Sequence, residues 1–71
     1  MSTVINVDPE ILGGTPVFMG TRVPVEALFD YVAGGDTIEM FLEDFPSVTR
    51  EQVDALLVEA RAKTLSGVSA A

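Results

Sequence analysis

The hydrophobic positions of residues 24–66 repeat with the period of an α-helix in three successive segments. In the first segment, Pro24 suits the first helical position because its missing N–H would have no partner there. The apolar side chains that follow at helical spacing are Val25, Leu28, Phe29 and Val32. This spacing places all four on one face and predicts a helix. Gly34-Gly35 would end it through a left-handed cap.

Two further segments show the same spacing. The apolar face of the second is formed by Ile38, Phe41, Leu42 and Phe45. The inner face predicted for the third is formed by Val53, Leu56, Leu57, Ala60 and Thr64. Asp36 followed by Glu39 has the spacing of a capping box and predicts the start of the second helix. Thr49 followed by Gln52 predicts the start of the third in the same way, after a four-residue connection (46–49) typical of a helix-turn-helix.

Residues 4–23 lack helical periodicity and read as an extended arm. The β-branched residues of Val4–Val7 predict a short strand. Pro16–Met19 is a second extended segment, and Gly20-Thr21 can turn the chain so that Arg22-Val23 returns as a further short strand. The arm is therefore expected to contain two or three short strands.

These elements predict one mainly α domain over residues 1–71. It consists of the arm at 4–23, a three-helix bundle at 24–66 and a frayed tail at 67–71. A chain of 71 residues buries only about 60% of its unfolded surface. Because hydrophobic residues make up 48% of the chain and no disulfide can staple it, we expect it to form a homo-oligomer.

The composition excludes several kinds of chemistry. The chain has no cysteine and no histidine, so it offers no soft zinc site and no ordinary activator for a serine or threonine nucleophile. Its glycines do not form a phosphate-binding loop. Glu39 and Glu43 share a helical face but have no phosphate-binding residues nearby, so we interpret them as solvated rather than as a magnesium site. We expect neither a cofactor nor enzymatic activity.

Hydropathy and cysteine usage predict a cytoplasmic protein. No apolar run approaches the ~20 residues needed to cross a bilayer. The N-terminus lacks the basic region and apolar stretch of a signal peptide. The absence of cysteine also fits a reducing compartment.

Acidic residues dominate the first two-thirds of the chain. The formal net charge is -7; residues 1–44 hold one base against eight acids, and residues 45–71 hold three of each. This field repels nucleic acid and anionic membranes and attracts a basic partner. The candidate partner-contacting residues are Glu26, Asp30, Glu39, Glu43 and Asp44. The i, i+4 pair Glu26 and Asp30 is either a contact strip for such a partner or an ordinary solvated face.

Arg22 is the single base in the first 49 residues. One interpretation is an internal ion pair that ties the arm to the first or second helix. The other is an arginine offered to an acidic pocket on a partner protein, since its planar fork suits carboxylates.

The third helix is a candidate for DNA recognition, because the second helix of a helix-turn-helix enters the major groove. Arg50 has the chemistry to read guanine and Gln52 to read adenine, and Arg61 is a further candidate contact. Glu51 and Asp54 would meet phosphate unfavourably. The alternative is a motif used only for packing, with Gln52 acting as the cap residue.

Several motifs together resemble the bacterial domain-of-unknown-function family four hundred and thirty-three (DUF433). The resemblance covers about residues 4–63, and its most specific part is the pair Gly-Gly-x-Pro-Val and Gly-Thr-Arg-x-Pro-Val. Met19 departs from the pattern, since many relatives carry arginine there. The segments that carry the resemblance are Asp8–Phe18, Gly20–Val25, Gly35-Asp36, Phe45–Thr49 and Gln52-Val53.

The resemblance implies a three-helix, homeodomain-like helix-turn-helix bundle with a short N-terminal β-hairpin or extended arm. It also implies an antitoxin-like role in a toxin–antitoxin system. The chain would then neutralise a basic PIN-type nuclease toxin by protein–protein contact, and binding to operator DNA is a further expectation. The alternative function is a stand-alone helix-turn-helix transcriptional regulator.

Overall fold

The computed structural model describes residues 3–67, which form a small antiparallel sheet and three helices. The two strands are β1 (Ile5–Asn6) and β2 (Val17–Phe18), with Ile5 paired to Phe18 and Asn6 to Val17. The helices are α1 (Val25–Ala33), α2 (Ile38–Asp44) and α3 (Arg50–Gly67). A mainly helical fold with a short N-terminal hairpin is confirmed. The predicted frayed tail, apart from Gly67, lies outside the described residues.

The arm folds back on itself through two turns. A single 3-10 turn, Leu12–Gly14, lies between the two strands. After β2, Gly20 adopts a φ of 78°, in the left-handed region that glycine enters without steric cost. The Phe18 N–H then donates to the Val23 carbonyl at 3.0 Å, and Val17 forms an isolated bridge with Pro24. The chain thus returns after Gly20 as predicted, but Arg22-Val23 does not form the expected third strand.

The hydrophobic core joins the arm to all three helices. Phe18 of β2 and Phe41 of α2 are completely buried, with their ring centroids 5.9 Å apart. Burying a side chain of this size contributes about 1.5–3 kcal/mol. The buried residues of the core are Val4, Phe18, Leu28, Phe41, Val48, Val53 and Leu56. The arm is therefore a structural part of the core and not an appendage to the helices.

The inner face predicted for α1 is partly wrong. Leu28 is fully buried, but Phe29 and Val32 are 41% and 49% exposed. Tyr31 turns inward in their place and packs edge-on against Phe41, with a centroid distance of 5.4 Å. The reason is that α2 lies against the Tyr31 side of α1, which the spacing of α1 alone does not reveal. In α3, Thr64 is likewise exposed instead of lying on the inner face.

The start of α2 differs by one residue from the prediction. Thr37, not Asp36, caps the helix, because its Oγ1 accepts the Met40 N–H at 3.1 Å. The Asp36 N–H instead donates to the Tyr31 carbonyl at 2.9 Å, which closes the end of α1 beyond Gly35 at φ 90°. Asp36 therefore belongs to the end of one helix and not to the start of the next.

The capping box of α3 is confirmed in both directions. The Gln52 N–H donates to Thr49 Oγ1 at 3.1 Å, and the Thr49 N–H donates to Gln52 Oε1 at 3.0 Å. Two N–H groups at the helix start thus gain partners from one pair of side chains. Pro24 immediately precedes α1, one position before the predicted site.

Two phenylalanine-to-alanine substitutions test this arrangement of the core. Phe41→Ala should lower the free energy of unfolding by about 3–5 kcal/mol, because it leaves a cavity against Phe18 and Tyr31. Phe29→Ala, at the partly exposed position, should cost less than about 1 kcal/mol. Urea unfolding followed by circular dichroism measures both. Equal losses would contradict the exposure of Phe29.

Candidate interaction surface

The outer side of α1 carries two carboxylates with an exposed aromatic ring at one side of them. Phe29 and Asp30 lie three and four residues after Glu26, so each of them neighbours Glu26 on the helix surface; we call the three residues the α1 strip. All three are exposed, and Phe29 leaves 41% of its surface open to solvent. Single exposed apolar residues are common, but an aromatic group next to two acids combines apolar contact with charge.

Phe29 also borders a groove between α1, the arm and α3. The groove encloses about 330 Å³, and its lining is mostly apolar. The lining residues are Ile5, Val25, Phe29, Leu56, Glu59, Ala60, Lys63 and Thr64. We call this space the α1–α3 groove. It is large enough to receive apolar side chains of a partner, and Phe29 connects it to the α1 strip.

A second, wider hollow continues from this groove along the arm. It encloses about 820 Å³ and shares Ile5, Glu59 and Lys63 with the α1–α3 groove. Val7 and Met19 also line it, and they are 62% and 41% exposed. One side of the arm thus presents apolar groups next to the groove.

Two of the predicted partner-contacting acids have partners within the chain. Arg50 Nη1 donates to Glu39 Oε2 at 2.9 Å in an exposed ion pair that links α2 to the start of α3. The hydrogen bond and charge of Arg50 lower the pKa of Glu39. Tyr31 Oη donates to Asp44 Oδ2 at 2.6 Å and links α1 to α2. Glu39 and Asp44 therefore contribute to the packing of the helices.

The other three predicted acids remain available. Glu26, Asp30 and Glu43 are exposed, and within residues 3–67 none of them makes a side-chain hydrogen bond or ion pair. Two of the three lie on the α1 strip. The strip is thus the place where exposed charge and exposed apolar surface coincide.

Two of the three DNA-contact candidates are engaged inside the molecule. Arg50 is held by Glu39. Besides its capping role, Gln52 donates from Nε2 to the Met19 carbonyl at 2.9 Å. Gln52 would have to give up these bonds to reach a base, whereas Arg50 uses one nitrogen of an exposed guanidinium and keeps its other N–H groups for further contacts. Arg61 is exposed on α3. The predicted role of Gln52 as a cap residue is confirmed, whereas the choice between a packing motif and a DNA-binding motif stays a prediction.

The contact between Gln52 and Met19 was not predicted from the sequence. It joins residues 33 positions apart, and no local pattern signals it. It fixes the start of α3 against the arm just after β2. The same side chain therefore caps a helix and positions the arm.

The ion-pair interpretation of Arg22 is wrong for the described part of the chain. Arg22 is exposed, and no carboxylate there lies within ion-pairing distance of it. The turn explains this, because Thr21 Oγ1 donates to the Phe18 carbonyl and accepts the Val23 N–H. These bonds bring residues 18 and 23 together, and the side chain between them projects to solvent. The interpretation of Arg22 as a contact to a partner stays a prediction.

Residues 3–67 contain neither a metal site nor a membrane-spanning helix. No group of three or more acidic side chains is placed to hold a metal ion. No described helix is both long and apolar enough to span a bilayer.

Comparison with known proteins establishes the family. The model of the family described as "Protein of unknown function (DUF433)" matches residues 5–60. The chain belongs to DUF433. It is also 42% identical over 64 residues to the uncharacterised protein y4eO of Sinorhizobium fredii (strain NBRC 101917 / NGR234). This DUF433 chain matches over 90% of its own length but spans only 29% of that relative. No solved structure matches it.

The single tyrosine of the chain allows a direct test of the contact between α1 and α2. The hydrogen bond to Asp44 raises the pKa of Tyr31 above its ordinary value near 10. The bond needs the phenolic proton, so its stabilising effect is present below pH ~10 and is lost as the pH rises through the folded-state pKa. Since the chain has one tyrosine and no tryptophan, tyrosinate absorbance reports Tyr31 alone.

Asp44→Asn should move this titration to lower pH, because it removes the acceptor charge nearest the phenol. Asp36→Asn is the matched control, since Asp36 contributes the last and smallest of the effects on Tyr31. An unchanged tyrosinate midpoint in Asp44→Asn would argue against the hydrogen bond.

Proposed function

We propose that this DUF433 chain is an antitoxin-like binding module that neutralises a basic PIN-type nuclease by protein–protein contact. The observation that carries the proposal is the α1 strip at the mouth of the α1–α3 groove. Enzymes that act on nucleic acid present basic surfaces to phosphate. An acidic helix with an aromatic residue beside its carboxylates complements such a surface in both charge and apolar contact.

The two carboxylates of the strip support a charged partner. Glu26 and Asp30 stand at i, i+4, where like charges repel and slightly destabilise the helix. A lysine or arginine from the partner would remove this repulsion on binding. Glu43 on α2 extends the negative field. The exposed Arg22 is proposed to pair with acidic metal ligands of the nuclease.

Phe29 supplies the apolar part of the proposed contact. Aromatic residues dominate the energetics of many interfaces, especially when acidic or polar groups surround them and exclude water. Phe29 lies next to a groove with room for apolar side chains of the partner. Burial of its remaining exposed surface would therefore add affinity that charge alone does not provide.

A second candidate is a homeodomain-like helix-turn-helix that binds operator DNA as a transcriptional regulator. The short connection from α2 to α3 and the preformed cap of α3 favour it. The engaged Arg50 and Gln52 count against it, as do the exposed acids Glu51 and Asp54 near the start of α3. We therefore place it second.

The first candidate is tested by nuclease inhibition. The chain is co-expressed and mixed with the product of the gene adjacent to its own, and both affinity and nuclease activity are measured at several salt concentrations. The double variant Glu26→Lys/Asp30→Lys should weaken binding by roughly tenfold to a hundredfold and flatten the salt dependence. Phe29→Ala should cost about 1–2 kcal/mol of binding free energy.

Glu10→Lys is the matched control, because Glu10 is an exposed acid on the arm. It should leave binding nearly unchanged. Clean separation of the unmodified proteins at moderate salt, with nuclease activity unaffected, would refute the proposed function.

The second candidate predicts a measurable preference for its own upstream region in a gel shift. The dependence on salt should be shallow, since few bases are available to displace counterions. Arg61→Ala should weaken the specific complex by about 1–3 kcal/mol if Arg61 reads a base, whereas the control Lys63→Ala should not change the preferred sequence. Equal binding to random duplex would exclude this candidate.

A further inference from the structure

Helix α3 is apolar on two opposite sides. Its inner side contributes Val53 and Leu56 to the core. On the opposite side, four apolar residues follow one another at intervals of three, four and three. These residues, which we call the outer α3 stripe, are Ala55, Val58, Ala62 and Leu65. All are exposed, and Val58 and Leu65 leave 69% and 55% of their surfaces open.

We propose that the outer α3 stripe is the contact surface for a second copy of this chain, with the two α3 helices packed antiparallel. A repeat of alternating three and four residues is the pattern by which two helices keep one seam in contact. Alanine at every second position of the stripe permits a close helix approach, near the lower end of the usual 8–10 Å spacing.

Charge explains why the occupant is a second copy of the chain. Residues 1–44 carry one base and eight acids, so most faces of two copies repel each other. Helix α3 carries three bases and three acids and is locally neutral. Its outer stripe is therefore the apolar surface on which two identical acidic chains meet with the least repulsion. The acidic α1 strip, in contrast, repels a copy and attracts a basic partner.

Side-chain size selects the antiparallel orientation. Two antiparallel α3 helices centred near Ala60 place Ala55 of each chain opposite Leu65 of the other, and Val58 opposite Ala62, so each alanine faces a larger side chain. A parallel pair would instead place alanine opposite alanine in two of the four layers, which leaves those layers underfilled.

The proposed dimer contact is independent of the proposed nuclease partner. It uses the outer side of α3, whereas partner binding uses α1 and the α1–α3 groove. A failure of one is therefore visible without a failure of the other. Dimer formation would also place two α1 strips in one particle and so allow two partners to bind.

Sedimentation equilibrium of the full chain tests the proposal. The average mass should rise from the 7.5 kDa of one chain toward twice that value as the concentration approaches about 1 mM. Val58→Glu should weaken dimerisation roughly a hundredfold or more, because it places a charge in the seam. Val7→Glu is the matched control at another exposed valine and should leave dimerisation unchanged. Circular dichroism verifies that both variants are folded.

Cysteine cross-linking tests the orientation, because the chain has no cysteine of its own. Two copies of Ala55→Cys should not form a disulfide, since the two positions would lie about 15 Å apart along the antiparallel pair, whereas Ala55→Cys mixed with Leu65→Cys should form one. Rapid oxidation of Ala55→Cys alone to a covalent dimer would overturn the antiparallel arrangement. A chain that stays monomeric to about 1 mM, or a dimer that survives Val58→Glu, would overturn the proposal itself.

Discussion

Phe18 brings the arm into the hydrophobic core, where it meets Phe41 at a centroid distance of 5.9 Å. The helices span 9, 7 and 18 residues, and a domain of this size buries a limited share of its surface. The hairpin contributes Phe18 and Val4, which complete the hydrophobic core beside the helices. With the arm fixed, the Met19 carbonyl reaches Gln52, so that one core contact also determines where α3 begins.

The same limited core accounts for the surfaces that remain apolar. Tyr31 of α1 packs against the core and Leu56 of α3 is buried in it. Other apolar residues of the two helices, such as Phe29 and Val58, remain exposed. Charge then distinguishes the two exposed regions. The α1 strip carries two carboxylates and suits a basic protein. The outer α3 stripe lies on a neutral helix and suits a second copy. The chain is 48% hydrophobic and exposes two apolar regions. The charge around each region determines which kind of partner we propose for it.

Local features of the structure were predictable from the sequence, and contacts between elements were not. The apolar face of α2 and the Thr49–Gln52 capping box depend on residues three or four positions apart, so spacing reveals them. In α1, apolar residues surround more than half of the helix, and the position of α2 decides that Tyr31 and not Phe29 packs against Phe41. The acids of the candidate site were predicted, but the engagement of Glu39 and Asp44 depends on partners 11 and 13 residues away.

Arg50 and Gln52 form contacts within the chain, and these contacts affect how the two proposed functions would combine. An acidic chain gains little free energy from counterion release on DNA. In its proposed recognition helix, α3, Arg50 and Gln52 also bond to groups of the same chain. In a complex with a basic nuclease, the positive charge would come from the partner. DNA affinity would then depend on the bound partner, and by linkage DNA would strengthen the binding of that partner by the same factor. The acidic α1 strip would therefore serve inhibition of the nuclease and, through the charge it recruits, control of DNA binding.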